Sequence, residues 1–139
     1  TIEAAEHQLA TRLYQNNARV HFNRFSEING RFGRRIVYGG HVISIVRGLS
    51  FNGLANAFRV AAINSGRHVA PVFAGDTLFA WSEVLGKASI AGRGDVAALR
   101  LRTIAFKDAD PGGFPGQEAD GKYAAEVVLD LDYWVLMPR

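Results

Sequence analysis

The stretch "QNNARVHFNRF", residues 15–25, places one histidine, His21, among amides and arginines, with no carboxylate inside the stretch. An imidazole titrates near neutral pH, which suits general acid–base catalysis. From this stretch alone, His21 is either a catalytic base or an ordinary polar residue in a loop.

The stretch "YGGHV", residues 38–42, could hold a developing negative charge. Gly39 and Gly40 precede a predicted helix, so backbone N–H groups would lie uncovered at its positive N-terminal end. Such groups can stabilise an enolate oxygen. The alternative, equally open, is that the two glycines only allow a tight turn.

Two other motifs resemble ligand-binding sequences but lack the required context. Gly92 and Gly94 in "AGRGDVAAL" half-match a dinucleotide fingerprint, which needs a helix after it; here strands are predicted on both sides, so we expect a hairpin turn. The acidic loop "KDADPGGFPGQEADG" does not have the ligand spacing of a calcium loop. We expect it to be a solvated loop.

The basic cluster "RFGRR", with Arg31, Arg34 and Arg35, could grip phosphates or could be a solvated loop, and the sequence leaves both open. The formal net charge of +3 suits an anionic ligand but is too small to indicate nucleic-acid binding.

The histidines and the absence of cysteine argue against a metal site. His7 and His41 fall in predicted helices and His68 near a strand end, with no pair at the spacing of metal ligands. The chain has no cysteine, which excludes disulfides and thiolate catalysis and is compatible with a reducing cytoplasm, where we expect the protein. No apolar run reaches the ~18 residues of a membrane span, and no signal peptide is visible.

Two helices are predicted in the first half of the chain. "TIEAAEHQLATRLYQ" reads as an amphipathic helix capped by Thr1 and ending near Tyr14, with an apolar face formed by Ile2, Ala5, Leu9 and Leu13. Residues 15–37 are predicted to be loop. A buried helix is expected from about Gly40 to Phe51, stopped by "NG" at 52–53, and surrounded by other structure because it is apolar on nearly all sides.

Four antiparallel strands are predicted in the second half, at 58–65, 76–90, 95–106 and 124–137. "RLR" at 100–102 and "DLD" at 130–132 could pair across strands through opposite charges. "AGRGD" would form the hairpin turn, and a long Pro/Gly loop would cover 108–121. An apolar helix wrapped by a curved antiparallel sheet describes an α+β hotdog fold.

The order of "N-x-x-x-x-H", "YGGH" opening a buried helix, and "PVFAGDTLFAWSEVL" resembles the MaoC-like (R)-specific enoyl-CoA hydratases, which are hotdog proteins. The resemblance is stronger still to the members that hydrate mesaconyl-CoA, and it covers essentially the whole chain. It implies that residues 1–139 are one hotdog domain and the second half of a double-hotdog protein, with a first strand before Thr1 that is missing here. Because the chain opens on Thr1, we also expect it to be part of a longer chain.

The resemblance assigns roles to individual residues. His21 matches the family's acid–base histidine, and Gly40 matches the oxyanion-hole glycine. Asn16 stands where the family commonly has an aspartate, and an amide cannot accept a proton. Gly75-Asp76-Thr77 is a family hallmark that we interpret as structural.

The substrate implied by the resemblance is a CoA thioester, with no other cofactor. Mesaconyl-CoA carries a free carboxylate, for which an arginine fork is a natural partner. Arg19 and Arg67 are the candidates, and Gly39 and His41 are further candidates for substrate contacts. The alternative for each arginine is an ordinary surface position.

The leading hypothesis is reversible hydration of an enoyl-CoA, in partnership with a companion hotdog repeat or in a homo-oligomer. The alternative is a non-catalytic repeat that binds acyl-CoA or serves as a scaffold, which Asn16 favours; a hotdog thioesterase is a weaker third option. Neither a nucleic-acid partner nor a membrane is expected.

Overall fold

The computed structural model describes residues 1–113 and 120–139, in which five helices precede four strands. The helices are α1 (Ala4–Leu13), α2 (Arg19–Phe22), α3 (Arg24–Glu27), α4 (Gly39–Leu49) and α5 (Phe51–Leu54). The strands are β1 (Arg59–His68), β2 (Leu78–Ile90), β3 (Arg93–Lys107) and β4 (Val127–Pro138). All pairs are antiparallel, and the sheet order is β1-β4-β3-β2. This is the α+β arrangement predicted from the sequence.

The core lies between α4 and one face of the sheet. Val42 and Val46, one helical turn apart, are buried against alternate residues of the two central strands. The strand residues of this core include Leu101, Ala105, Leu129, Leu131, Tyr133 and Val135. Burying one such aliphatic side chain stabilises the fold by roughly 1.5–3 kcal/mol.

The far side of α4 is not covered by the residues that the structure describes. Ser44 is exposed, and Leu49 keeps 46% of its surface accessible. The prediction of a helix surrounded on all sides therefore holds only for the side that faces the sheet. A helix that is apolar on every side is expected to be buried in the full assembly, but its own chain need not cover every side.

The predicted charge pairs on the outer face of the sheet are confirmed. Arg100 donates two hydrogen bonds to Asp132, at 3.0 and 2.6 Å, and Arg102 donates two to Asp130, at 3.1 and 2.8 Å. In the strand register Arg102 stands opposite Asp132, so each arginine pairs diagonally with its aspartate. These bidentate contacts tie β3 to β4 on the face opposite α4.

The turn that contains Gly75, Asp76 and Thr77 anchors several segments, in agreement with its structural interpretation. The buried Asp76 carboxylate accepts from the Phe73 backbone N–H at 3.0 Å and from Lys107 Nζ at 2.6 Å. The Ile2 N–H donates to the Asp76 carbonyl, and the Val37 N–H donates to the Val72 carbonyl. The turn thus fixes the start of the chain, the end of β3 and the segment that leads into α4.

The prediction for the first helix is wrong in two respects. The N-cap is Glu3 rather than Thr1, whose hydroxyl instead lies 2.7 Å from that of Thr77. The helix buries His7 and Thr11, whereas Leu9 and Leu13 are 59% and 71% exposed. The apolar spacing is real, but within this chain the helix packs through its other side.

Two smaller corrections concern segment boundaries. The supposed loop 15–37 contains α2 and α3, the second of which is capped by the Asn23 side chain accepting from the Ser26 N–H. The "NG" pair does not end helical structure, because α5 runs through Asn52 and Gly53. Four-residue helices are too short to show a period in sequence.

The predicted strands are confirmed, with shifted ends. The hairpin turn narrows to Ala91 and Gly92, where Gly92 has a φ of 74°, a value that favours glycine. Part of the predicted Pro/Gly loop, 114–119, lies outside the described residues.

Candidate active site

One cavity of about 410 Å³ brings together three of the residues that the sequence selected for chemistry. It lies at the N-terminal end of α4, and His21, Gly39 and Gly40 all line it. Its remaining walls come from α4 itself, the segment before it, the end of β1 and the stretch after β1: Ile36, Val37, Tyr38, Val42, His68, Ala70, Pro71 and Val72. A mostly apolar cavity with a few convergent polar groups is the usual form of a small-molecule site.

His21 has a defined tautomer when it is neutral. Its Nδ1 lies 3.1 Å from the carbonyl oxygen of Ile36, and a carbonyl can only accept, so Nδ1 must carry the proton. The lone pair then resides on Nε2, which has no hydrogen-bond partner in the part of the chain that the structure describes. The half-buried ring is also held edge-on against Tyr38, at 5.8 Å between centroids. His21 therefore presents a basic nitrogen with a fixed orientation.

The backbone at the start of α4 offers two unused donors. The N–H groups of His41 and Val42 donate to the Tyr38 carbonyl, at 3.0 and 3.2 Å. Those of Gly39 and Gly40 have no acceptor among the described residues. Uncovered N–H groups at a helix N-terminus attract negative charge, so the two glycines can receive an anionic oxygen.

The two glycines also have a steric role, because aromatic rings lie where side chains would be. A Cβ on Gly40 would stand 2.6 Å from ring atoms of Tyr38, and a Cβ on Gly39 would stand 2.6 Å from His68 Nε2. Any side chain here would displace one of these rings from the cavity wall.

His68 is a cavity residue that the sequence analysis did not select. It is the last residue of β1, and its ring packs over Gly39 although the residue keeps an exposed surface. Neighbouring atoms desolvate the imidazole and lower its pKa, which favours the neutral form at pH 7. Its place at the strand end directly before "VAPVFAGDT" was the only signal in the sequence.

Asn16 acts on the backbone next to His21 rather than in the cavity. Its Oδ1 accepts from the Ala18 N–H at 2.9 Å, immediately before α2, which carries His21. Asn16 does not line the cavity. The amide oxygen therefore holds the start of the helix that positions the histidine.

The three other predicted substrate contacts are not among the lining residues of this cavity. His41 Nε2 is 3.0 Å from Glu6 on α1. Arg19 is exposed at the start of α2. Arg67 stands opposite Asp130 on the sheet face that carries the Arg–Asp pairs. Burial raises the pKa of Asp130, but hydrogen bonds from Arg102 and Tyr123 and, to a smaller extent, the charge of Arg67 lower it.

Neither a metal cluster nor a membrane helix is found in residues 1–113 and 120–139. No three His, Cys, Asp or Glu side chains converge there as ligands. No helix in these ranges has the length and apolar character needed to cross a membrane.

Two curated relatives align with the whole chain. A β-methylmalyl-CoA dehydratase from Chloroflexus aurantiacus is 66% identical over 139 residues, covering 100% of this chain and 40% of that protein. A mesaconyl-CoA hydratase from Cereibacter sphaeroides is 57% identical over 140 residues, covering 100% of this chain and 39% of that protein. The chain thus spans about two fifths of the length of these relatives.

Solved structures confirm the predicted hotdog fold. A MaoC domain protein from Chloroflexus aurantiacus superposes with a TM-score of 0.96 at 66% identity, covering 100% of this chain and 40% of that chain. A double-hotdog protein from Mycobacterium tuberculosis superposes with a TM-score of 0.67 at 25% identity, covering 100% of this chain and 36% of that chain.

The family assignment rests on the same part of the chain that builds the cavity. Residues 16–104, which run from Asn16 through His21 and α4 to His68 and beyond, match the MaoC like domain. The chain therefore belongs to the family of MaoC-like domains.

Proposed function

We propose that this chain catalyses the reversible addition of water to the double bond of an enoyl-CoA thioester. The observation that carries the proposal is the shared cavity, in which the His21 Nε2 lone pair and the free N–H groups of Gly39 and Gly40 converge. A base together with an anion-binding pair of donors is what conjugate addition to a thioester requires. The names of the two relatives favour mesaconyl-CoA and β-methylmalyl-CoA as the substrate pair.

The reaction proceeds through an enolate. His21 Nε2 takes a proton from water as the water oxygen bonds to the β-carbon, and the electrons of the double bond move onto the thioester oxygen. The Gly39 and Gly40 N–H groups hold that oxygen while it is negative. A proton returned to the α-carbon completes the hydration, and the reverse order gives dehydration.

The proton handling does not need the aspartate that Asn16 replaces. No carboxylate lines the cavity among the described residues, but His68 is a second imidazole there. With its lowered pKa, His68 is neutral at pH 7 and can accept or pass on a proton. We assign His68 the role of second proton carrier. Asn16 positions α2 through its hydrogen bond with the Ala18 N–H and does not carry a proton.

The site is proposed to be completed by a second hotdog unit, either the companion repeat of a longer chain or another copy. β1 is an edge strand in which every residue is exposed. Three apolar side chains on or next to this strand are well exposed, with Phe58 at 59%, Val60 at 42% and Ile63 at 60%. An apolar surface beside an open strand edge is typical of an interface. Arg19 and Arg67 remain candidates for the substrate carboxylate in such an assembly.

The test is the rate at which the enoyl-thioester absorbance of mesaconyl-CoA disappears. His21→Ala should lower turnover by about 10²–10⁴-fold, because a positioned acid–base group contributes that much. His68→Gln should lower it less and should change the pH–rate profile. Asn16→Ala tests positioning, with the exposed neighbour Asn17→Ala as its control. Turnover at the wild-type rate in His21→Ala would refute the mechanism.

A second candidate, a non-catalytic repeat that binds acyl-CoA, is favoured by the amide at Asn16. It predicts tight binding of the CoA ester without any turnover, even in the presence of the companion repeat. Release of free CoA in the same assay would indicate a thioesterase instead.

A further inference from the structure

A second cavity, of about 230 Å³, is lined by three arginines and lies outside the site described above. Arg24 comes from α3, and Arg34 and Arg35 come from the segment that leads toward α4. The other lining residues are His7, Ile28, Gly33 and Ala74. The lining thus carries three positive charges and no carboxylate.

None of these arginines is neutralised by its surroundings. In residues 1–113 and 120–139, no carboxylate oxygen lies within 4.0 Å of a nitrogen of Arg24, Arg34 or Arg35. The nearby acids are engaged elsewhere: Glu27 accepts from its neighbour Ser26 at 3.0 Å, and Asp76 pairs with Lys107 at 2.6 Å. The cavity therefore retains a positive potential that an anion would satisfy.

Two of the guanidinium groups are held in place by contacts that leave most of their N–H groups free to bind an anion. The Arg34 guanidinium carbon lies 3.8 Å from the centre of the buried Phe73 ring, a stacking arrangement that leaves the edge of the guanidinium free. Arg35 Nη1 donates to the Phe22 carbonyl at 3.2 Å, which leaves its other nitrogens available. Planar, fixed arginine forks recognise phosphate oxygens in bidentate fashion.

His7 forms a buried polar wall of the same cavity. Its ring is 1% exposed, and its Nε2 has only a 3.5 Å contact with the Gln8 amide nitrogen. Burial, followed by the charge of Arg35, lowers the pKa of His7, so the ring adds no fixed charge of its own at pH 7. A bound anion would relieve this positive field, and the ring nitrogen would offer one more polar contact.

We propose that Arg24, Arg34 and Arg35 form a binding site for a phosphate-type oxyanion beside His7. The oxyanion is either a free inorganic anion or a phosphate of the CoA substrate, and only the second source rests on the proposed function. The cluster predicted from "RFGRR" is thereby divided, because Arg31 lines a different cavity together with Phe32 and His68.

The experiment measures binding directly in the complete protein that carries this sequence. Inorganic phosphate and adenosine 3′,5′-bisphosphate are titrated by calorimetry into the wild type, Arg34→Gln, Arg35→Gln and the control Arg12→Gln. The control removes the same charge from the exposed last turn of α1. The two cavity variants should bind at least one probe about tenfold more weakly than the wild type, since charge-assisted hydrogen bonds are lost. The control should bind like the wild type.

A further variant at Arg34 distinguishes the loss of an anion contact from general misfolding. Arg34→Lys keeps the charge but loses the planar fork, so its affinity should fall between those of the wild type and Arg34→Gln. All variants are compared by their unfolding midpoints.

Kinetics then separate the two sources. If the anion belongs to CoA, Arg34→Gln raises KM for the acyl-CoA but not for the matching acyl-pantetheine. If the anion is separate, phosphate binding falls while both KM values stay unchanged. The proposal is overturned if neither probe binds the wild type more tightly than the cavity variants, as expected if carboxylates of a companion unit fill the cavity. Because the titration needs no turnover, its outcome is independent of the proposed reaction.

Discussion

At the scale of single residues, the candidate site depends on a few polar contacts around α4. His21 and the pair Gly39 and Gly40 could be selected from residue type and spacing, because an imidazole and a glycine pair before a helix each indicate a definite chemistry. His68 could not, because nothing in its local sequence shows that β1 ends over Gly39. The hydrogen bond from His21 to the Ile36 carbonyl is likewise a product of tertiary structure.

Gly40→Ala should lower kcat of the proposed hydration by about 10²-fold, the usual cost of losing one oxyanion donor. The new Cβ would stand 2.6 Å from Tyr38 ring atoms, so the ring or the backbone must move away from the productive geometry. The measurement is steady-state turnover of mesaconyl-CoA.

Gly48→Ala is the matched control for this prediction. Gly48 belongs to the same helix, and a Cβ there would meet nothing within 4 Å. It should keep full activity and gain up to about 1 kcal/mol of stability from its better helix propensity. Equal activity in the two alanine variants would contradict the role given to Gly40.

At the scale of elements, the alternation of apolar and charged residues predicted the strands well. The sequence did not show which surface packs against the apolar face of a helix. The pairs Arg100–Asp132 and Arg102–Asp130 follow from two short motifs of alternating residues. The apolar stripe of Leu9 and Leu13 on α1 is equally clear in sequence, yet no element within residues 1–113 and 120–139 covers it. A period shows that a face is apolar but not which molecule buries it.

The Arg100–Asp132 pair should make stability depend on acid pH. Hydrogen bonds from Arg100 and then Asn64 lower the pKa of Asp132 from 3.8 to about 2. A carboxyl group with a lowered folded pKa contributes stability that is complete above its unfolded pKa and is lost as pH falls through its folded pKa. The free energy of urea unfolding should therefore decline from about pH 4 to pH 2. The decline should be less steep in Asp132→Asn than in the wild type.

Asp95→Asn provides the comparison for this element. Asp95 also has a pKa of about 2, but its pair with Arg93 is 56–66% exposed and is screened by water. Its removal should change the stability less than removal of Asp132. Parallel profiles of stability against pH for the wild type and Asp132→Asn would exclude a contribution from the Arg100–Asp132 pair.

At the scale of the whole molecule, the chain has a core on one side and an unburied apolar surface on the other. Phe25 is 89% exposed and Ile63 is 60% exposed, which is unusual for the solvent-facing surface of a complete protein. The family resemblance predicts a partner unit, whereas composition alone does not, since 48% apolar residues suit a monomer equally well.

Ile63→Arg should destabilise the complete assembled protein by roughly 3 kcal/mol, because it would place an unpaired charge in the proposed β1 interface. The free energy of urea unfolding and the binding of an apolar dye report the change. Asn29→Arg adds the same charge at an exposed loop position and should leave both unchanged. Wild-type stability in Ile63→Arg would show that β1 faces water in the assembly.

The hydrogen bond between His21 and Ile36 has a geometric consequence for the product. Only Nε2 remains to activate water, in the same cavity as the Gly39 and Gly40 N–H groups that are proposed to hold the thioester oxygen. A planar substrate held by that oxygen would present one face of its double bond to the imidazole. In the proposed reaction the hydroxyl group therefore arrives from the side of His21 Nε2, and the face that the bound double bond turns toward this nitrogen sets the handedness of the new stereocentre.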